Sequence, residues 1–156
     1  MKTTTGNLIT LAEQGHFDVI VHGCNCFHTM GAGIAAEIKR RYPAAYSVDV
    51  AKSVKGDRSK LGTFTAALVT GPGPLWAEFV IVNAYTQYQY GVPKNNIFVS
   101  YNAVTQVFNS IARTYGAYRI GYPKIGAGLA GGKWDKISLI IDKCLDGVDH
   151  TLVTLF

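Results

Sequence analysis

The chain is organised around the stretch from Asp18 to Ala36, D-V-I-V-H-G-C-N-C-F-H-T-M-G-A-G-I-A-A. A β-branched apolar run, Val19 to Val21, ends in a cluster of polar groups, passes a glycine pair at Gly31 and Gly33, and enters a helix. A strand, a loop able to take positive φ, then a helix N-terminus with free N–H groups and a favourable dipole is the order in which α/β proteins hold a phosphate. The remaining segments read as support for that arrangement.

Phe17 to His22 has the unbroken apolar character of a strand buried on both faces, ending at His22. After Gly33, Ile34, Ala35 and Ile38 recur at helical spacing, Lys39, Arg40 and Arg41 suit the last turn, and Pro43 stops the helix. Residues 44–52 suggest a second short helix and residues 53–60 a polar loop. Strands are predicted over 61–70 and 78–84, on either side of the turn Gly71-Pro72-Gly73-Pro74. Residues 85–96, polar and aromatic without periodicity, read as a loop that covers a ligand. Val104, Val107, Phe108 and Ile111 predict a helix over 100–115. A strand over 118–122, a glycine-rich loop over 123–133, a helix over 134–145 and a strand over 150–156 complete the chain, which opens with a β-prone Lys2 to Thr5 and a turn at Gly6-Asn7. Alternating strands and helices define an α/β fold with a largely parallel sheet flanked by helices. At 156 residues, one domain over 1–156 is expected.

Composition narrows the function classes. A chain that is 48% hydrophobic and 16% charged suits a compact fold rather than disorder. No apolar run approaches the roughly 20 residues of a membrane span, and the N-terminus lacks a signal-peptide layout, so no membrane partner and a cytoplasmic location are expected. The net charge of +5 suits an anionic ligand, but the basic residues are scattered, which does not indicate nucleic acid. Three cysteines do not make a disulfide framework.

The second glycine-rich loop reads Pro123-Lys124-Ile125-Gly126-Ala127-Gly128-Leu129-Ala130-Gly131-Gly132. Such a loop brings backbone N–H groups close around a diphosphate. Ligands in these sheets sit beyond the carboxyl ends of the strands, so the two loops are expected to line one cleft. Gly31 to Ala36 also matches the dinucleotide pattern G-x-G-x-x-A, but the glycines come late after the strand and no acidic residue closes a second strand at the expected distance. His22, Cys24, Cys26 and His28 alternate like zinc ligands. On an extended chain they would lie about 6.6–7 Å apart, which does not converge on a tetrahedral ion with bonds of about 2.0–2.3 Å. No metal and no cofactor are expected.

Val21-His22-Gly23-Cys24-Asn25, then Gly31-Ala32-Gly33, then Gly126-Ala127-Gly128-Leu129-Ala130-Gly131 resemble the signature of the macro domains, which bind ADP-ribose. Order and spacing match over nearly the whole chain. The resemblance implies a three-layer α/β/α sandwich with a mixed, largely parallel central sheet. The H-x-C-N form and the P-x-I-x-x-G-L segment before Trp134 look most like the branch of ADP-ribose-1''-phosphate phosphatases and deglutamylating ADP-ribosyl hydrolases.

Carried over by position, the resemblance implies that Asn25 bonds the hydroxyls of the distal ribose. Gly31, Ala32, Gly33 and Ile34 would pass beneath that ribose and the diphosphate. Ile125 would join the second loop, in which Gly126, Ala127, Gly128, Leu129 and Ala130 cradle the diphosphate. Asn7 and Leu8 stand where the family commonly has Asp-Ile against adenine, and Leu155 and Phe156 would pack on the base. Two hydrolase branches lack a named residue here: Ala35 and Ala130 stand where they place an Asp, and Tyr85 to Tyr90 contains no Lys. His22 resembles the catalytic histidine of the phosphatase branch, so the resemblance implies an enzyme that releases phosphate from ADP-ribose-1''-phosphate, with His22 as general base or nucleophile beside Asn25. The alternatives are a non-catalytic reader of ADP-ribose or of ADP-ribosylated protein, and a mono-ADP-ribosyl-protein hydrolase.

Overall fold

The computed structural model describes residues 1–91 and 97–155 and is built on a six-stranded sheet in the order β1-β6-β5-β2-β4-β3. In chain order the elements are β1 (Lys2–Thr5), α1 (Leu8–Glu13), β2 (Val19–Cys24), α2 (Gly33–Arg41), α3 (Pro43–Ala51), β3 (Phe64–Thr70), β4 (Glu78–Tyr85), α4 (Tyr101–Tyr115), β5 (Ile120–Tyr122), α5 (Trp134–Cys144) and β6 (His150–Thr154). A 3-10 turn, Arg58–Lys60, follows α3. Every strand pair is parallel except β3 with β4, which the Gly71–Pro74 turn joins as an edge hairpin.

Period-two alternation sorts the strand residues between two cores. Val19 and Val21 of β2, with Val82 and Ala84 of β4, pack under α4 and α5 against Val104, Phe108, Ile137 and Ile141. Ile20 and Cys24, with Ile81 and Tyr85, pack on the other face against Leu8, Ile9, Ile38 and Ala45 of α1, α2 and α3. Helices on both faces make the expected three-layer α/β/α sandwich with a mixed, mostly parallel sheet.

Three local outcomes differ from the sequence reading. Residues 8–13, for which no element was expected after the Gly6-Asn7 turn, form α1, which the Asn7 side chain caps by accepting from the Thr10 N–H at 3.0 Å. Pro43 ends α2 but also opens α3, since a proline at the first helical position removes an N–H that has no partner there. β2 continues past His22 to Cys24, with His22 opposite Asn83 and Cys24 opposite Tyr85. That extension decides where His22 points. Among the described residues no helix is long and apolar enough to cross a membrane.

Candidate functional site

β2 lies between β5, reached through α4, and β4, reached on the other side, so the connections diverge at its carboxyl end. A crevice is expected at such a switch point. A cleft of about 500 Å³ opens there, bounded by Gly23 to Asn25, Thr29 to Ala35, Gln87, Tyr90 and Gly91, and the second glycine-rich loop. The two loops singled out in the sequence therefore face each other across one cavity.

The first wall is the N-terminus of α2. Its N-cap is Ala32, which has no side chain to satisfy the first amides, so the N–H groups of the first turn are available to an anion. Asn25 is fixed from both ends of its amide: Oδ1 accepts from the Phe27 N–H at 2.8 Å and Nδ2 donates to Thr29 Oγ1 at 2.6 Å. His28 and Met30, between Asn25 and the helix, hold left-handed backbone with φ of 59° and 39°. Non-glycine residues in this region are strained, and such strain clusters at ligand sites.

The second wall turns on Gly126, whose φ is +73° and whose Cβ, if present, would lie 2.6 Å from Val99 Cγ2. Within the loop, Ala127 N–H donates to Lys124 C=O and Gly131 N–H to Gly128 C=O. Among the described residues no backbone acceptor takes the amides of Gly128, Leu129 or Ala130. Those three residues line the cleft, whereas Ala127 does not. Lys124 is the one cationic side chain among the described residues of the lining.

Of the residues expected to contact a ligand, Asn25, Gly31, Ala32, Gly33, Ile34, Ile125, Gly126, Gly128, Leu129 and Ala130 come together here. Asn7 and Leu8 are not part of the lining: Asn7 caps α1 and Leu8 is buried in the core. Phe156 lies outside the described residues. Thr29, Met30, Asp49, Gln87 and Tyr90 line the cleft and were not anticipated. Only their tertiary placement reveals them, since none carries a local sequence signal.

His22, expected to act on the ligand, is in the core. It shares a face of β2 with Ile20 and Cys24, is 1% exposed, and does not line the cleft. Its Nε2 lies 2.6 Å from Asn83 Oδ1. Asn83 Nδ2 already donates to Ala45 C=O and Thr65 Oγ1, so Asn83 Oδ1 is the acceptor and His22 Nε2 carries the proton. Cys24 Sγ lies about equally close to both ring nitrogens, 3.7 Å from Nδ1 and 3.6 Å from Nε2. Burial lowers the His22 pKa to about 4, against the opposing effects of the Asn83 bond and the Asp49 charge. The ring is neutral at pH 7, and Cys24, which touches it, lines the cleft while His22 does not. Burial pushes that thiol well above its usual pKa, so Cys24 is no nucleophile at neutral pH.

The same network runs on beneath the cleft. Thr65 Oγ1 lies 2.6 Å from the Tyr85 hydroxyl, which donates to Asp49 Oδ1 at 2.7 Å. Lys60 Nζ donates to the same oxygen at 2.6 Å and sits 4.2 Å over the Tyr85 ring. Among the described residues, no three His, Cys, Asp or Glu gather as metal ligands.

An α/β/α sandwich with two glycine-rich walls at the carboxyl end of its parallel strands is the class that fold and cleft define together. The macro domain family model matches residues 21–141, and the chain belongs to that family. It is 32% identical over 142 residues to an uncharacterized 17.5 kDa protein from the tk-vs intergenic region of Enterobacteria phage T4, covering 91% of this chain and 88% of that one. Among solved structures it resembles the macrodomain of Thermus aquaticus DarG, with a TM-score of 0.73 at 21% identity over 98% of this chain and 96% of that one. It also resembles Thermosipho africanus DarTG in complex with ADP-ribose, with a TM-score of 0.70 at 16% identity over 100% of this chain and 42% of that one.

Proposed function

We propose that this macro domain binds ADP-ribose in the 500 Å³ cleft, free or attached to a protein. One observation carries the reading: the uncapped first turn of α2 and Gly128, Leu129 and Ala130, whose amides have no backbone acceptor among the described residues, line one cavity. Two sets of donors in one cavity suit a diphosphate, which presents acceptor oxygens to both. Asn25, locked by Phe27 and Thr29, then stands ready to bond the distal ribose. The ADP-ribose complex of the Thermosipho relative, of the same fold, supports this choice of ligand.

Binding without turnover suits this geometry better than release of phosphate from ADP-ribose-1''-phosphate. Phosphate release through His22 would need an imidazole at the cleft, and this one is enclosed by Asn83 and Cys24. The test is calorimetric titration with ADP-ribose of the wild type and Asn25→Ala, with phosphate release from ADP-ribose-1''-phosphate followed on the same samples. Micromolar-range binding that weakens in Asn25→Ala, with no release above the uncatalysed rate, supports a binding domain. Release by the wild type would establish an enzyme working through groups other than His22. No binding at all would remove ADP-ribose as the ligand.

A further inference from the structure

Asp49 is the one acidic side chain among the described residues of the cleft lining, and its two oxygens are unequal. Oδ1 accepts from both Lys60 Nζ and the Tyr85 hydroxyl. Among the described residues no group donates to Oδ2, which is buried with the rest of Asp49 at 1% exposure. A buried carboxylate oxygen left without a donor is costly, and proteins keep one where a function repays it. Lys60 and Tyr85 line a second cavity of about 430 Å³ and not the cleft, whereas Asp49 lines the cleft and not that cavity. One carboxylate oxygen is thus held by two residues that belong to the second cavity, while Asp49 itself borders the cleft.

We infer that Asp49 is a specificity-determining residue of the cleft, its Oδ2 accepting a hydrogen bond from a hydroxyl on the distal ribose of the ligand. This rests on ADP-ribose being the ligand. A fixed anion beside a diphosphate would repel it, so the partner of Oδ2 is the part of the ligand that carries donors and no charge. The adenine amino group and the hydroxyls of both riboses meet that description, and the place of Asp49 beside Cys24 and Asn25 selects the distal ribose. Asp49 shares the lining with Cys24 and Asn25, and it lies close enough to Cys24, the residue before Asn25, for its charge to act on that thiol. Thr29 and Met30 share it too, in the stretch where His28 and Met30 hold left-handed backbone. Oδ2 is closed to solvent, so the wall beside it moves to admit the hydroxyl. Asp49 comes from α3, outside both glycine-rich loops, so the ribose is read from beneath as well as from the strand end.

The test compares ADP-ribose with ADP, which has the same diphosphate and adenosine but no distal ribose. Affinities for both are measured by calorimetry on the wild type, on Asp49→Asn, and on Asp49→Leu/Lys60→Met, which removes both charges so that neither is buried alone. The ratio of the two affinities does not depend on the fraction of protein folded, and thermal unfolding is recorded for each variant. Asp49→Asn is expected to lose about tenfold of the preference for ADP-ribose over ADP, the double variant at least as much, with ADP affinity kept within about twofold. A wild-type ratio in both variants would overturn the assignment while leaving ADP-ribose as the ligand. Failure of the wild type to bind ADP-ribose would overturn the ligand and the assignment with it.

Discussion

His22 Nε2 and Asn83 Oδ1 meet at 2.6 Å across the β2–β4 pair, in the only arrangement of protons that Asn83's own bonds allow. The contact is structural. It ties the central strand to its neighbour beneath α3, where Asn83 also holds the backbone of Ala45. Truncation in His22→Ala leaves Asn83 Oδ1 unpaired and opens a cavity, so the expected cost is about 2–4 kcal/mol of unfolding free energy. ADP-ribose affinity of the folded fraction should stay within about threefold of wild type. Urea unfolding and calorimetry on the same samples check both; a stable His22→Ala that no longer binds would return His22 to the ligand site.

The acid limb of stability should carry the same residue's signature. The folded state holds His22 at a pKa of about 4, below the 6.5 of an unfolded chain, so the unfolded state takes up a proton that the folded state refuses. Stability is then fully present above about pH 6.5 and falls as pH drops toward 4, with His22 accounting for on the order of 3 kcal/mol. Burial also lowers the pKa of His28 and His150, which add to the slope in the same sense. The difference between wild type and His22→Gln isolates the His22 contribution. Unfolding free energies between pH 7.5 and 4.5 should converge as pH falls, and parallel curves would show that His22 titrates normally.

The cleft was legible in the sequence wherever local chemistry fixed it. Gly33 and Gly126 hold left-handed backbone that a side chain strains, and Asn25 follows a strand directly, so the order strand, loop, glycine and helix led to the two segments that line the cleft. His22 was misplaced by a strand end drawn two residues early. Once β2 runs to Cys24, parity puts His22 with Ile20 on the α3 side. Asn7 was read for a ligand role that the family position suggested, while its distance of three residues from Thr10 was already a capping signal. Asp49 had no such signal. In V-D-V within a helix it reads as a solvated position, and only the packing of α3 against Lys60 and Tyr85 turns it into a buried acceptor.

Two glycines of the second loop should separate folding from binding. At Gly126 an alanine meets both a left-handed φ and Val99 at 2.6 Å, so Gly126→Ala should destabilise the fold by roughly 1–3 kcal/mol. Gly128 has ordinary φ, open space where a Cβ would sit among the described residues, and lines the cleft. Gly128→Val should therefore melt near the wild-type temperature yet bind ADP-ribose at least about tenfold more weakly, because the new side chain fills ligand space. Thermal unfolding beside titration distinguishes them, and equal stability losses in both would mean that Gly128 also serves the fold.

Lys124 offers a test of whether charge or amide geometry holds the diphosphate. It is exposed and is the lone cation among the described lining residues, so its attraction for the ligand acts through solvent and is screened by salt. Lys124→Ala should weaken ADP-ribose binding by about three- to tenfold at low ionic strength, and the difference from wild type should shrink toward onefold near 1 M salt. Asn25 acts by a short-range bond instead, so the loss in Asn25→Ala should persist at every salt concentration. Titrations of the three proteins across a salt series decide the matter. A Lys124→Ala deficit that survives high salt would place the ammonium in direct, desolvated contact with a phosphate, and would move Lys124 from steering the ligand to holding it.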